Sequence, residues 1–396
     1  MNPFPFVVAE WRHARGVLIA MALLIAIASA ISLGVTSLER ALRTASANAA
    51  GRFDLIIGAA GSQTQLVLTT VYLQPAALKL MPATVLAQLR ADPGVVFAEP
   101  VVTGDSYAGF SIVGTSAALA SDHGRLLLSS GRWFAGMQEA VAGSATTLKI
   151  GESYTPLHGS ASDNLIEAHA HDGQRVVIVG RAAATGTPWD KAIIVPYEAV
   201  LALHEVKVGV APKHALPALG LPAIVVKPRS IMDAYRLRNV YRNSETTAVF
   251  PAETLTRLYQ TLGDVRALAL WIAGAGQSLV LAAVLLGLYA SLSARAQSLI
   301  SLRAIGAGPL FVWLTLWLQV LGILLVGALL GLLGGWLLAF AGAGVLSNRL
   351  GLLLTAELTR EDLLPLVWML AAGTVASAGV AWRAYVKAPA QAMRSG

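Results

Sequence analysis

The stretch "GVLIAMALLIAIASAISLGVT", Gly16–Thr36, is an uncharged run of about 21 residues near the N-terminus. As a helix rising 1.5 Å per residue it is about 30 Å long, enough to cross the hydrocarbon core of a bilayer. Arg12 and Arg15 stand before it, as in a secretory leader. A leader's apolar section is only roughly 7–15 residues long, so the run reads as a retained anchor rather than a cleaved signal.

Outward from this anchor the composition keeps the same character. Hydrophobic residues make up 56% of the 396-residue chain and charged residues 13%, and the mean hydropathy is +0.64. An average soluble domain carries about 25% charged residues. The apolar residues concentrate at the N-terminus and after about residue 265, leaving a middle section of mixed composition. Three more uncharged stretches follow it: Ala267–Ala290, Leu310–Val345 and Leu363–Trp382. Leu310–Val345 is long enough for either one extended helix or a hairpin turning near Gly334–Gly335. A hairpin gives five crossings and puts the two ends of the chain on opposite sides.

Charge chooses between them. Arg295 and Arg303 follow the second stretch, and Arg383, Lys387 and Arg394 follow the last. Both segments read as cytoplasmic by the positive-inside rule, which four crossings satisfy and five do not. Arg40, Arg43 and Arg52 after the first stretch run against the rule, but large translocated domains largely escape it. The expected fold is therefore a membrane protein with four transmembrane α-helices, one N-terminal and three C-terminal. A large α+β extracytoplasmic domain lies between helices 1 and 2. The expected divisions are residues 1–41, 42–264 and 265–396, with Ser130 as the point of division if the middle domain forms two lobes.

Within that domain, Ala83–Ala91 reads as a helix stopped by Asp92-Pro93-Gly94. Val95–Val102 and Tyr107–Gly114 alternate as paired strands with turn residues between them. Arg175–Gly180 and Lys191–Val195 read as strands flanking the turn "RAAATGTPWD", Tyr197–His204 as a helix, and Ala223–Lys227 as a strand. Pro251–Leu262 leads helically toward the second span. Trp133 and Trp189 read as packing residues.

Small residues recur every four positions inside the spans. Ala22, Ala26, Ala30 and Gly34 form one stripe; Gly327, Gly331, Gly335 and Ala339 form another. Such stripes let helix backbones approach closely in lipid, either inside one subunit or between two copies. No Asp, Glu, Lys or Arg lies inside the four stretches, where Gln277 and Gln319 are the strongly polar residues. Proton relays and ion pathways need intramembrane ionisable groups, so an ion-coupled transporter is not expected.

The chain has no cysteine, which excludes disulfides and thiolate metal sites. The net charge of +7 is spread over membrane flanks and the middle section without a Lys/Arg run, so no nucleic acid is expected as partner. There is no G-x-x-x-x-G-K-[ST] phosphate loop, no G-x-S-x-G elbow and no H-E-x-x-H helix. One cluster carries metal-ligand chemistry: His158, His169 and His171 in "LHGSASDNLIEAHAHDG", with Asp163, Glu167 and Asp172 beside them. Imidazole and carboxylate together suit zinc, and the alternative reading is a hydrophilic loop between strands.

Between the second and third stretches, Ser298–Ala307 reads S-L-I-S-L-R-A-I-G-A, and Ala388–Arg394 closes the chain with A-P-A-Q-A-M-R. With the one-plus-three layout, these segments resemble the FtsX/MacB/LolC-like permease superfamily, the type VII ABC transporters. "FDLIIGAAGS" and "GTPWDKAIIVPYEAV" resemble it more loosely. The resemblance implies a non-catalytic permease subunit of a bacterial inner membrane, working by mechanotransmission. Its implied partners are a cytoplasmic ABC ATPase subunit, a second permease copy, a periplasmic adaptor or binding protein, and membrane lipid. The chain itself binds no cofactor on this reading; ATP and Mg sit on the ATPase.

In such permeases the segment corresponding to Ser298–Ala307 docks on the ATPase. Here Leu299, Leu302 and Ile305 form an apolar face at helical spacing, with Arg295 and Arg303 toward water, lipid phosphate or the ATPase. Ala304 lies between them, and Gly306 with Gly308-Pro309 ends the helix. Ser298 stands where the family often has an acid, and the bland alternative is an amphipathic linker on the bilayer surface. Two rival functions remain: an FtsX-like signalling or scaffold subunit that activates a periplasmic partner, and an exported metal-dependent hydrolase built on the histidines. The sequence does not name a cargo.

Overall fold

The structure, a computed structural model, describes residues 3–13, 15–158, 175–208, 220–294 and 308–392. The chain divides into two compact units. One comprises Met1–Ala41, Gly263–Val345 and Leu354–Gly396; the other comprises Leu42–Leu262 and Leu346–Leu353.

The second unit is built on a mixed sheet of eleven strands among the described residues. These are β1 (Leu55–Ala59), β2 (Val95–Tyr107), β3 (Phe110–Thr115), β4 (Leu128–Gly131), β5 (Glu139–Ala142), β6 (Ser153–Tyr154), β7 (Leu157–His158), β8 (Val176–Ala182), β9 (Ala192–Pro196), β10 (Ala223–Pro228) and β11 (Thr246–Val249). The order is β11-β1-β10-β2-β3-β9-β5-β8-β4, with β6 added on β8 and β7 on β2. Pairs β3–β9 and β5–β8 are parallel, and the other pairs are antiparallel. Runs such as "AIIVP" in β9 are buried at every position, as expected of strands covered on both faces.

β2 holds the sheet together. Val95–Val101 pairs with β10, and Val102–Tyr107 pairs with β3. The sheet is continuous through β2, and Ser130 lies on the edge strand β4. Residues 103–106 look like a turn in sequence, yet they continue the strand through a bulge between Thr103 and Asp105, with Gly104 at φ +151°. The reversal comes later, at Ala108 (φ 49°) and Gly109 (φ 82°), so Tyr107 belongs to β2. Two successive positive φ values in a two-residue loop match the twist of a hairpin.

Helices α3 (Gln63–Tyr72), α4 (Thr84–Ala91), α6 (Tyr197–Val208) and α7 (Ile231–Val240) pack on the sheet, while α5 (Ala117–Ala120) is one short turn. Ser62, Ser116 and Ser230 cap α3, α5 and α7 by accepting from the N–H three residues on. α4 ends where its sequence stops it: Asp92 accepts from Gly94 N at 2.8 Å and is gripped by both guanidinium nitrogens of Arg236. Leu55, Leu89, Ile193 and Leu237 are fully enclosed, and truncating such a leucine typically costs about 2–5 kcal/mol.

The other unit is helical. α1 (Phe4–His13) sets Phe6 against Phe311 and Trp11 against Gly322. α2 (Arg15–Ala50), α8 (Pro251–Ala294), α9 (Pro309–Leu350) and α10 (Arg360–Ala392) follow. α9 runs unbroken through Gly334 and Gly335, so the hairpin alternative does not occur. Among the described residues, three helical stretches are long and apolar enough to cross a membrane: Arg15–Ala50, Trp313–Leu350 and Asp362–Gly379. In α8 the apolar run is the shorter Gly274–Gly287, so four crossings remain an expectation.

The two small-residue stripes face each other within the chain. A Cβ on Gly327 would lie 2.7 Å from Ile25 Cβ and 3.0 Å from Ala22 O; one on Gly331 would lie 2.6 Å from Ser29 Cβ and 3.1 Å from Ala26 O. On Gly335 it would meet Leu33 Cβ at 2.8 Å and Ala30 O at 3.1 Å, and on Gly34 it would meet Leu338 Cβ at 3.2 Å. The α9 glycines are needed because the α2 backbone occupies the space a side chain would fill. α10 closes on α9 through indole N–H groups: Trp313 Nε1 donates to Ala378 O at 3.2 Å and Trp317 Nε1 to Thr374 O at 3.3 Å. Gln319 is buried in the same unit.

Candidate functional site

Leu346–Leu353, the end of α9 and the first residues after it, belongs to the sheet unit rather than the helical one. Its seat is the turn at residues 185–191, which runs from Thr185 into "GTPWDKAIIVPYEAV". Leu353 N donates to Gly186 O at 3.0 Å, and Lys191 Nζ donates to Asn348 O. Gly351, at φ +70°, ends the helix after its N–H bonds Ser347 O at 2.9 Å. A Cβ there would lie 3.2 Å from Pro188 Cα. Gly186, also at φ +70°, comes equally close to Leu353. Both sides of the clasp thus use glycine for a left-handed backbone and a close approach.

The turn is held from within by Asp190. Its carboxylate accepts from Thr185 N at 2.8 and 3.1 Å, from Gly186 N at 2.7 Å and from Thr185 Oγ1 at 2.8 Å. Pro188 opens a 3-10 turn, Pro188–Lys191, where its missing N–H removes no bond. Behind it Trp189 is buried against Phe53, ring centroids 6.0 Å apart. Phe53 follows α2 by three residues.

A second layer supports this turn. Ala145 N donates to Asp190 O at 2.8 Å, and Gly143 N to Ala192 O at 2.8 Å. The loop carrying them is gathered by one guanidinium: Arg181 donates to Gly143 O, Ser144 O, Thr146 O and Leu148 O. Nearby, Tyr72 OH donates to Ser46 O at 2.7 Å, its phenol pushed up by burial, and Arg43 lies over the Tyr259 ring. Within the sheet unit these contacts tie the end of α2 to α3 and to the start of α8. The arrangement is suited to holding the end of α9 in place on the turn.

The residues singled out in sequence fare unequally. Arg295, Ser298, Leu299, Leu302, Arg303, Ala304, Ile305 and Gly306 lie outside the described residues, as do Asp163, Glu167, His169, His171 and Asp172. His158 is described as the backbone partner of Asp105 in the β7–β2 ladder. Asp105 is buried beside Tyr154, whose phenol is raised by burial first and then by the Asp105 charge. Among the described residues no three His, Asp or Glu side chains gather at one point. Trp133 is half-buried. Sequence reasoning missed Gly186, Asp190, Lys191 and Gly351 as a set, since only folding brings 185–191 to 346–353.

Apolar helices and a large mixed-sheet unit in one chain define a membrane protein with a substantial domain outside the bilayer. No family model and no curated protein matches the chain. Several solved structures are similar to it, two of them as follows. The periplasmic region of MacB from Actinobacillus actinomycetemcomitans is 12% identical, over 52% of this chain and 92% of that one, with a TM-score of 0.33. The extracellular domain of the noncanonic ABC-type transporter YknZ from Gram-positive bacteria is 13% identical, over 49% and 98%, with a TM-score of 0.28.

Proposed function

We propose that the chain is the permease subunit of a type VII ABC transporter working by mechanotransmission, driven by a separate cytoplasmic ATPase. The reading joins the sequence resemblance of Ser298–Ala307 and Ala388–Arg394 to one structural observation. α2, α8 and α9 each contribute residues to both compact units, and Leu346–Leu353 at the end of α9 is seated on residues 185–191 within the sheet unit. On this reading a displacement of these helices reaches the sheet domain along the helices that the two units share. A solute path is not needed, in keeping with apolar stretches that carry no ionisable residue.

On this reading Ala267–Ala290 within α8 is the second of four crossings, both termini are cytoplasmic, and the sheet domain works outside the inner membrane as one half of a dimer. Residues 295–306 dock on the ATPase through Leu299, Leu302 and Ile305. Purifying the protein from its native membrane tests the reading by the ATPase that accompanies it. Leu302→Asp buries an unpaired charge in the docking face, at several kcal/mol, and each ~1.4 kcal/mol weakens binding about tenfold. The expected result is loss of the ATPase at unchanged membrane abundance. Retention of a fully active ATPase by Leu302→Asp would sink the docking role.

A further inference from the structure

Arg40, in α2, reads in sequence only as a charge on the wrong flank of the first span. In the structure it meets an acid at the start of α10. Its guanidinium pairs with Asp362, whose side chain is 2% exposed against 27% for Arg40. The same guanidinium donates to Thr359 Oγ1 and, at 3.4 Å, to Glu357 O. Asp362 in turn caps its own helix, accepting from Thr359 N at 2.9 Å and Thr359 Oγ1 at 3.2 Å. Ser37 Oγ donates to Glu357 O at 3.4 Å, and Thr36 Oγ1 lies 3.5 Å from Asp362 Oδ1 while bonding Ser32 O more closely at 3.1 Å. All these residues belong to the helical unit.

One carboxylate thus serves two helices, capping α10 and holding α2. An apolar contact would bind the helices at least as well, because burying an ion pair sacrifices the hydration of both groups. What a charge pair adds is register. It is satisfied in one arrangement, and on separation both groups are rehydrated instead of sliding through intermediate positions. Further toward the N-terminus the α2 face carries small residues, and Ser29 Oγ donates to Met369 Sδ at 3.7 Å.

We propose that Arg40–Asp362 is a latch that fixes α2 against the start of α10 at rest and parts when the helices are displaced in the working cycle. The proposal rests on the transporter reading for its release step, and on the geometry alone for the pair. The chain lacks cysteine, so Thr36→Cys places a single half-buried thiol beside the latch. The test measures its alkylation rate by a maleimide in the full chain, purified with its ATPase in lipid nanodiscs. Trapping with ATP and vanadate should raise the rate about tenfold, equivalent to ~1.4 kcal/mol of latch strength.

Asp362→Asn should raise the nucleotide-free rate to near the trapped level, and the neutral pair Arg40→Gln/Asp362→Asn should do so without leaving a charge unpaired. Equal rates with and without trapping, in a complex that hydrolyses ATP, would make the contact a static brace and overturn release. Unchanged rates in both neutral variants would overturn the pair itself. A chain that binds no ATPase would instead overturn the transporter reading and the release step with it, while the variant rates in the chain alone still decide whether the latch exists.

Discussion

The α2–α9 contact makes a quantitative demand on Gly331. A Cβ at this position would sit 2.6 Å from Ser29 Cβ, and Ser29 is 1% exposed. Two carbons need about 3.5 Å, so Gly331→Val must push α2 and α9 apart by about 0.9 Å before its methyl groups are placed. Gly327 and Gly335 lie one turn away on either side and are as tightly covered by Ile25 and Leu33, so the displacement is felt along the stripe. Overpacking of this kind costs typically about 1–3 kcal/mol. The gain in helix propensity from glycine to valine offsets only about 0.4 kcal/mol. The expected net loss is therefore about 2 kcal/mol.

Equilibrium unfolding of the full chain in detergent, followed by circular dichroism, reads this loss. Ser29→Gly removes the obstructing atom, so the double variant should recover about 1 kcal/mol relative to the sum of the single losses, a non-additivity expected of residues in contact. The loss should not depend on protein concentration, because both stripes belong to one chain. A wild-type midpoint for Gly331→Val, or strict additivity with Ser29→Gly, would refute the packing argument. A concentration-dependent loss that Ser29→Gly fails to relieve would assign the stripe to a contact between copies.

At the clasp, Gly351→Ala forces a side chain into left-handed backbone at about 1–2 kcal/mol, and hydrogen exchange at the Leu353 amide should accelerate while the sheet core stays protected. Asp190→Ala strips the Thr185 and Gly186 N–H groups of their acceptor, each orphaned donor costing about 1–3 kcal/mol; the thermal midpoint should fall, and an unchanged midpoint would mean water replaces the carboxylate. Glu139 is held at about 2, against an ordinary value of 4.5, first by hydrogen bonds from Arg132 and then by the Ala135 and Gly136 N–H groups. The native state then binds fewer protons than the unfolded chain between these values, so this contribution is complete above pH 4.5 and fades as pH falls toward about 2. Arg132→Gln should flatten that part of the stability–pH curve, and identical curves for both proteins would show that the exposed pair contributes nothing measurable.

What the sequence makes legible follows from how local each cause is. The Gly16–Thr36 run and the helix stopped at Asp92-Pro93-Gly94 depend on nearby residues, and α2 and α4 occupy those places. The pattern also yields strands at β8, β9 and β10, whose β-branched runs need no distant information. α7 is harder to see, since Ile231 and Met232 are 80% and 82% exposed and spoil the apolar periodicity. Asp362 has a local signal too: Thr359-Arg360-Glu361-Asp362 has the spacing of a capping box, of which the bond from Thr359 N to the Asp362 carboxylate is made. Glycine marks the boundary of such reading. Gly104 continues a strand through a bulge, Gly335 lies within an unbroken helix with α2 against it, and Gly351 ends that helix beside Pro188. The partner backbone, which only the fold supplies, decides which of the three roles the residue takes.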